Sequence, residues 1–161
     1  MIKMIWAQTK DGVIGKDNSL PWSIKEEMQH FRNTTLNQNV LMGSNTFESM
    51  NFKGLPNRIN YVLTRDIYKY KHLEADNLIF INNREEIINK FKGIESKDIF
   101  IIGGSQIYEL FFEDCDEIIR SVIKNHFEGN IHIKNFNYDN FDKISIVEKE
   151  HFYVEYMSRR K

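Results

Sequence analysis

The chain has 161 residues, enough for one domain of ordinary size, and at that length folding hides roughly 70% of the unfolded surface, so no disulfide or metal staple is required. Apolar residues make up 41% and aromatics 13%, with Phe the commonest aromatic at 12, which is too much bulk for a disordered chain. A net charge of −1 gives no basic field for nucleic acid or an anionic membrane, and the single cysteine, Cys115, excludes a disulfide framework and a multi-cysteine zinc site. The first eight residues are broken by Lys3 and turn polar too soon for a signal peptide, and no apolar run approaches the roughly 20 residues of a membrane span. The chain therefore reads as a soluble, cytoplasmic single domain over residues 1–161, a monomer by default.

Taken in chain order, short β-branched apolar runs predict buried strands over 2–7, 40–42, 59–63, 78–81, 99–102 and 118–123. Helical patterns alternate with them over 25–35, just after Gly43, over 84–91 and over 105–112. Such alternation predicts α/β architecture, an open, mixed, mostly parallel sheet with helices on both faces. Segments 144–150 and 152–159 read as strands with no helix between them, a closing antiparallel pair.

Within the first helix, a turn of about 100° per residue puts Ile24, Met28, Phe31 and Thr35 on one core-facing arc. Glu26 points away, and Glu27 sits on the edge of the arc, one turn from Phe31. A carboxylate on an apolar rim either is a solvated helix-start acid, favoured there by the dipole, or holds a hydrogen-bonding edge of a heterocycle or helps to protonate it. The preceding loop, 12–22, carries Gly12, Gly15, Pro21 and Trp22, and reads as a lid over a site or as a connection whose Trp22 caps the core.

Two strand ends run through glycine into helices. Gly103-Gly104 precedes Ser105, and Gly43 precedes Ser44. Missing Cβ atoms let a ligand approach the backbone, and fresh helix N-termini suit phosphate, although bland turns also use such pairs. Two of them in one sheet match the needs of a dinucleotide.

In order and spacing, Val13-Ile14-Gly15, Leu20-Pro21-Trp22, Glu27, Phe31, Met42-Gly43 with Thr46-Phe47-Glu48-Ser49, Leu55-Pro56-Asn57-Arg58, Ile101-Ile102-Gly103-Gly104 with Tyr108, and Glu128-Gly129 resemble dihydrofolate reductase over essentially the whole chain. The resemblance implies reduction of 7,8-dihydrofolate to tetrahydrofolate by hydride from NADPH, with a proton added at pterin N5, in the service of one-carbon and thymidylate metabolism. It implies that Glu27 pairs with the pterin, that Ser121 supports Glu27, and that Trp22 and the 15–20 loop close over the nicotinamide. Ile5, Ala7, Met28, Phe31, Met50, Leu55 and Ile102 would line the substrate pocket, and Arg58 would grip the α-carboxylate of the glutamate tail. The cofactor would meet Ala7, Ile14, Gly15, Leu20, Gly43, Ser44, Asn45, Thr46, Leu63, Thr64, Arg65 and Ile102. Gly103, Gly104, Ser105, Gln106, Ile107 and Tyr108 would complete that surface, and no metal or nucleic acid is implied.

Two positions depart from the family pattern. Ser44 stands where an arginine usually meets the 2′-phosphate, which leaves use of NADH open, and Arg65 is the residue that could replace the charge. Asn130-Ile131 follows Gly129 in place of Asp-Thr; Asn130 can still accept a bond from the lid backbone, without charge, so a looser lid is expected. His126 and His132 lack a carboxylate pattern for metal, and Cys115, between two acids, reads as structural. A pteridine- or riboflavin-pathway reductase and a non-catalytic folate- or nucleotide-binding module are the competing readings. Glu27 with Leu20-Pro21-Trp22 argues against the first, and Ser44 alone leans toward the second.

Overall fold

The computed structural model describes residues 1–17, 19–93 and 97–161. Its main sheet has eight strands in the order β5-β4-β3-β6-β1-β7-β10-β9. These are β1 (Ile2–Thr9), β3 (Asn39–Gly43), β4 (Ile59–Leu63), β5 (Leu78–Ile81), β6 (Ile99–Ile101), β7 (Glu117–Ile123), β9 (Phe141–Glu148) and β10 (Phe152–Arg159). All neighbours from β5 to β7 pair parallel, and β10 and β9 close the sheet antiparallel. Two short strands, β2 (Val13–Gly15) and β8 (Ile131–His132), form a separate antiparallel ladder.

The parallel strands are apolar on both faces because helices cover both. On one side α3 (Arg84–Phe91) and α4 (Ser105–Phe111) bury Ile87, Phe91, Tyr108 and Phe111 against Met4, Leu41, Ile101 and Ile118. On the other, α1 (Lys25–Thr35) and α2 (Ser44–Ser49) bring Ile24, Phe31 and Phe47 onto Ile5, Val40, Met42, Ile119 and Val154. Strand alternation thus sorts each strand between two cores.

The expected architecture holds, with local corrections. The final hairpin begins at Phe141, because Phe141 pairs with Arg159 and is buried, and β9 ends at Glu148, where Lys149 donates to the Phe152 carbonyl and the turn begins. Ile102 leaves the ladder to start the glycine turn, so β6 stops at Ile101. Residues Ile67–Leu73 form a 3-10 helix, with Asp66 accepting from the Lys69 backbone at its start, and Phe112–Asp114 a second, so α4 ends at Phe111. Met28 is 55% exposed, whereas Glu27 and Thr35 are buried, so the arc expected on α1 turns. Counted from Glu27 at about 100° per residue, Phe31, Ile24 and Thr35 fall within about 80° and Met28 at about 100°, on the outer flank. Glu27 stands inside the packed face, not on its edge.

Candidate active site

Register places the floor of the site. Ala7 on β1 is paired with Ser121 on β7, and Ser121 with Val154 on β10, one row on the sheet face that α1 covers. Above it Glu27 is only 6% exposed. Among the described residues its carboxyl has no ion pair and no hydrogen bond, including none from Ser121, which lies buried in the floor. Burial alone pushes the Glu27 pKa from 4.5 up to about 7. A carboxyl so placed sits near its midpoint at neutral pH and can either hold or release a proton. Trp22 is buried in the same core, its ring tilted against Phe127 at 5.9 Å. Its indole N–H is enclosed without a protein partner, so Trp22 both caps the core and offers a donor to a ligand or water.

The apolar residues expected around a substrate are brought together. Ile5 is buried in this core, and Ala7, Phe31, Met50, Leu55 and Ile102 are half-buried against it, while Met28 stands outward on the flank of α1. Half-covered apolar walls with a few polar groups are what a planar aromatic ligand needs.

At the far end lies Arg58, 6% exposed. Its guanidinium donates to Thr35 Oγ1 from Nε (3.3 Å) and Nη2 (3.1 Å), to the Pro56 carbonyl from Nη1 (2.7 Å) and to the Arg32 carbonyl from Nη2 (3.4 Å). Those bonds lock the fork in place, and among the described residues no carboxylate pairs with it. Burial and then the neighbouring Arg32 charge hold its pKa below the ordinary value. An aimed, buried guanidinium without an anion is built to receive one. The part that Thr35 and the Arg32 carbonyl play in holding Arg58 was missed in the sequence, where Thr35 showed only as a member of the core-facing arc and Arg32, one turn before it, carried no signal.

The two glycine turns lie side by side at the carboxyl ends of β3 and β6, the edge where open α/β sheets bind ligands. The Gly43 N–H donates to the Gly103 carbonyl at 2.9 Å, and Ile102 donates to the Leu41 carbonyl. A Cβ at Gly43 would fall 2.9 Å from Ile107 Cγ1, and Gly103 has φ +122, so neither position tolerates a side chain. The Gly103-Gly104 peptide is cis. The position of a Gly104 Cβ lies 3.7 Å from Thr46 Oγ1, which brings the start of α2 against the second turn. Ser44, Asn45, Thr46, Ser105 and Gln106 follow these glycines as the first residues of α2 and α4. Gly43 is in register with Leu63, so Ser44 and Thr64 are the first residues past the ends of adjacent strands, and Arg65, one residue further, is exposed. Tyr108 is tied inward, its hydroxyl donating to the Ile5 carbonyl at 2.8 Å, and burial raises its pKa. The cradle left by the glycines, together with the orphaned Trp22 N–H, fits a dinucleotide with a planar reactive end.

The 12–22 loop, expected to act as a lid, is held by the β2–β8 ladder. Val13 and Gly15 pair with His132 and Ile131, Ile14 packs toward the α3–α4 core, and Leu20 is 51% exposed. Asn130 Oδ1 accepts from the Asp17 N–H at 2.8 Å, as expected of an uncharged substitute, and Asn130 Nδ2 donates back to Asp17 Oδ1 at 3.3 Å. Asn18 of this loop lies outside the described residues. A Cβ on Gly129 would fall on the Gly15 carbonyl oxygen and within 2.5 Å of Val13 Cγ1. Gly129→Ala must therefore push β2 off β8. We expect its NADPH KM to rise about tenfold and its stability to fall by about 1–3 kcal/mol, as overpacking does; stopped-flow cofactor release and thermal melting check this.

Elsewhere, burial pushes the Cys115 thiol up to about 11, so it is inert and structural. Among the described residues no three His, Cys, Asp or Glu side chains are grouped to hold a metal, and no helix is long and apolar enough to cross a membrane.

Comparison with known proteins agrees with this geometry. The dihydrofolate reductase family model matches residues 1–157. The chain is 37% identical over 162 residues to the dihydrofolate reductase of Ureaplasma parvum, covering 100% of this chain and 99% of that one. It is also 37% identical over 154 residues to that of Lactococcus lactis, covering 94% and 88%. The structure of dihydrofolate reductase from Enterococcus faecalis complexed with NADP(H) and RAB-propyl superposes with a TM-score of 0.88 at 28% identity, covering 100% of this chain and 97% of that one. With the family model matching residues 1–157 and relatives 37% identical over most of both chains, this chain belongs to the dihydrofolate reductase family.

Proposed function

We propose that Glu27 handles the proton in the reaction this family membership assigns, the reduction of 7,8-dihydrofolate to 5,6,7,8-tetrahydrofolate by NADPH, carried out by a cytoplasmic monomer of one domain, residues 1–161. The observation that carries the assignment is a buried carboxyl without an ion pair or hydrogen bond among the described residues, its pKa pushed up to about 7 by burial. Reducing the N5=C6 bond needs a hydride at carbon and a proton at N5. When bound, the nicotinamide supplies the hydride. Glu27 in its anionic form accepts hydrogen bonds from the pterin 2-amino group and N3–H, which orients the ring and raises its basicity at N5. Trp22 donates its free indole N–H into the same space and, with the 15–20 loop, excludes bulk water. Ala7, Phe31, Met50, Leu55 and Ile102 sandwich the pterin and benzoyl rings, Ser121 and Ile5 form the floor, Met28 forms the outer lip, and Arg58 takes the tail carboxylate.

Gly43, Thr46, Gly103, Gly104, Ser105 and Gln106 would receive the cofactor phosphates. Leu63, Thr64 and Ile107 would flank the adenosine side, and Ile14, Gly15, Leu20 and Tyr108 the nicotinamide side. With Ser44 in place of arginine, Arg65 would supply the charge for the 2′-phosphate. Arg65→Ala is then expected to lower the NADPH/NADH ratio of kcat/KM about tenfold, the loss of one charge-assisted hydrogen bond. An unchanged ratio in steady-state assays would reject that role.

The whole reading is tested by following oxidation of NADPH, and separately NADH, with and without dihydrofolate. Oxidation that depends on dihydrofolate is expected. Cofactor binding without it would mark a binding module.

A further inference from the structure

We propose that Asp17 is a positioning residue matched to Asn130. The carboxylate of one and the amide of the other form a reciprocal pair that holds the 15–20 loop to the segment before β8, and an aspartate at position 130 would break it. This rests on the reading of that loop as a lid over the nicotinamide.

The contact joins residues 113 apart in the chain. On the loop side, Lys16 and Ser19 bond each other in both directions. The Lys16 N–H donates to the Ser19 carbonyl at 2.8 Å, and the Ser19 N–H to the Lys16 carbonyl at 3.2 Å. Asp17 lies inside this tip with φ +57, in the left-handed region that a short polar side chain tolerates better than a branched one. On the other side Asn130 follows Gly129, whose missing Cβ lets it lie against the Gly15 carbonyl. Both backbones are therefore fixed at the place where the side chains meet.

Asn130 uses both ends of its amide. Its Oδ1 accepts from the Asp17 N–H at 2.8 Å, and its Nδ2 donates to Asp17 Oδ1 at 3.3 Å. A carboxamide can do both because it carries an acceptor and a donor on one carbon. An aspartate in its place would accept from the Asp17 N–H equally well but has no proton for the Asp17 carboxylate. Two like charges would then share one contact. The negative charge of this contact therefore sits on the loop, at residue 17, and position 130 has to stay neutral. By the same chemistry the two side chains are exchangeable. With an asparagine on the loop and an aspartate opposite, the backbone N–H and the amide N–H would both donate to the carboxylate, and each bond is made again. Both residues are exposed, so water competes for these bonds and the effect of losing them is modest.

The test follows NADPH release from the full chain by stopped-flow, and the Kd of adenosine 2′,5′-bisphosphate, which lacks the nicotinamide, by calorimetry. Asn130→Asp is expected to speed NADPH release about tenfold, and by less as added salt screens the two carboxylates. Asp17→Asn keeps an acceptor for the amide and should change release by about twofold or less. Asp17→Asn combined with Asn130→Asp should return release to within about twofold of wild type, a coupling that the double-mutant cycle measures. The Kd of the bisphosphate should stay the same throughout. Exposed positions leave the fold intact in all three variants, which thermal melts check. Unchanged release in Asn130→Asp overturns the proposal, as does faster release that salt does not reduce. A rescued change felt equally by the bisphosphate refutes the lid reading itself, whereas an unrescued change confined to NADPH refutes only the matched pair.

Discussion

Glu27→Gln is expected to lose about 10²–10⁴ in kcat/KM for dihydrofolate, the range of a positioned acid–base group, while the unliganded protein becomes more stable. The second half follows from the same burial. Glu27 has a pKa of about 7 when folded against 4.5 when free. Between those values the folded chain holds a proton that the unfolded chain has released. The Glu27 contribution to stability is therefore fully present below pH 4.5, falls as pH rises through the window, and levels off above about 7. At about 1.4 kcal/mol per pH unit, the gap amounts to roughly 3 kcal/mol. Above pH 7, Gln, which is never charged, should recover most of that difference, and at pH 4 the two proteins should be nearly equal. Denaturant melts of both proteins at several pH values check it. A wild type equally stable with respect to the variant at every pH would mean that the carboxyl is solvated after all. A pocket that is costly without ligand and indispensable with it is the usual bargain of an active site.

How far this was legible in the sequence depended on how local the cause was. Buried parallel strands announce themselves as β-branched runs, because helices on both faces leave them no polar side. The limits of α1 at residues 25 and 35, and those of α3, match their periodic stretches. The β2–β8 ladder did not show, since pieces of three and two residues have no period to read, and they pair only because Gly129 lets the chains touch. The 3-10 helix Ile67–Leu73, alternating apolar and basic residues, imitates a strand more than a helix. The acid was found but its depth was not. The arc of Ile24, Met28, Phe31 and Thr35 put Met28 inward and Glu27 on its edge, whereas Glu27 is buried with Thr35 and Met28 is 55% exposed. Arg58 needed a helix 23 residues earlier in the chain to explain its fixed fork.

That fork gives the second large effect. Arg58→Leu is expected to raise the dihydrofolate KM about a hundredfold, or about 3 kcal/mol, within the range for truncating one partner of a buried charge pair. Turnover at saturation should stay within about twofold, because on the proposed reading Arg58 would meet the tail and not the reacting ring. Its folding role works in two directions. Thr35 and the Arg32 carbonyl lose their donor, which destabilises, but an unpaired buried charge also disappears, which stabilises. A dihydropterin lacking the glutamate tail separates binding from folding, for it never meets the guanidinium. Its kinetics should be the same in wild type and variant, while dihydrofolate alone suffers. Equal losses for both substrates would show that Arg58 only braces α1 against β4. Arg32, exposed and without an ion-pair partner among the described residues, puts a second positive charge close enough to be felt at Arg58, and on the proposed reading it would also meet the tail. It should therefore carry a smaller, salt-sensitive share of the same affinity, and raising the ionic strength should erode the Arg32 share well before the buried Arg58 share.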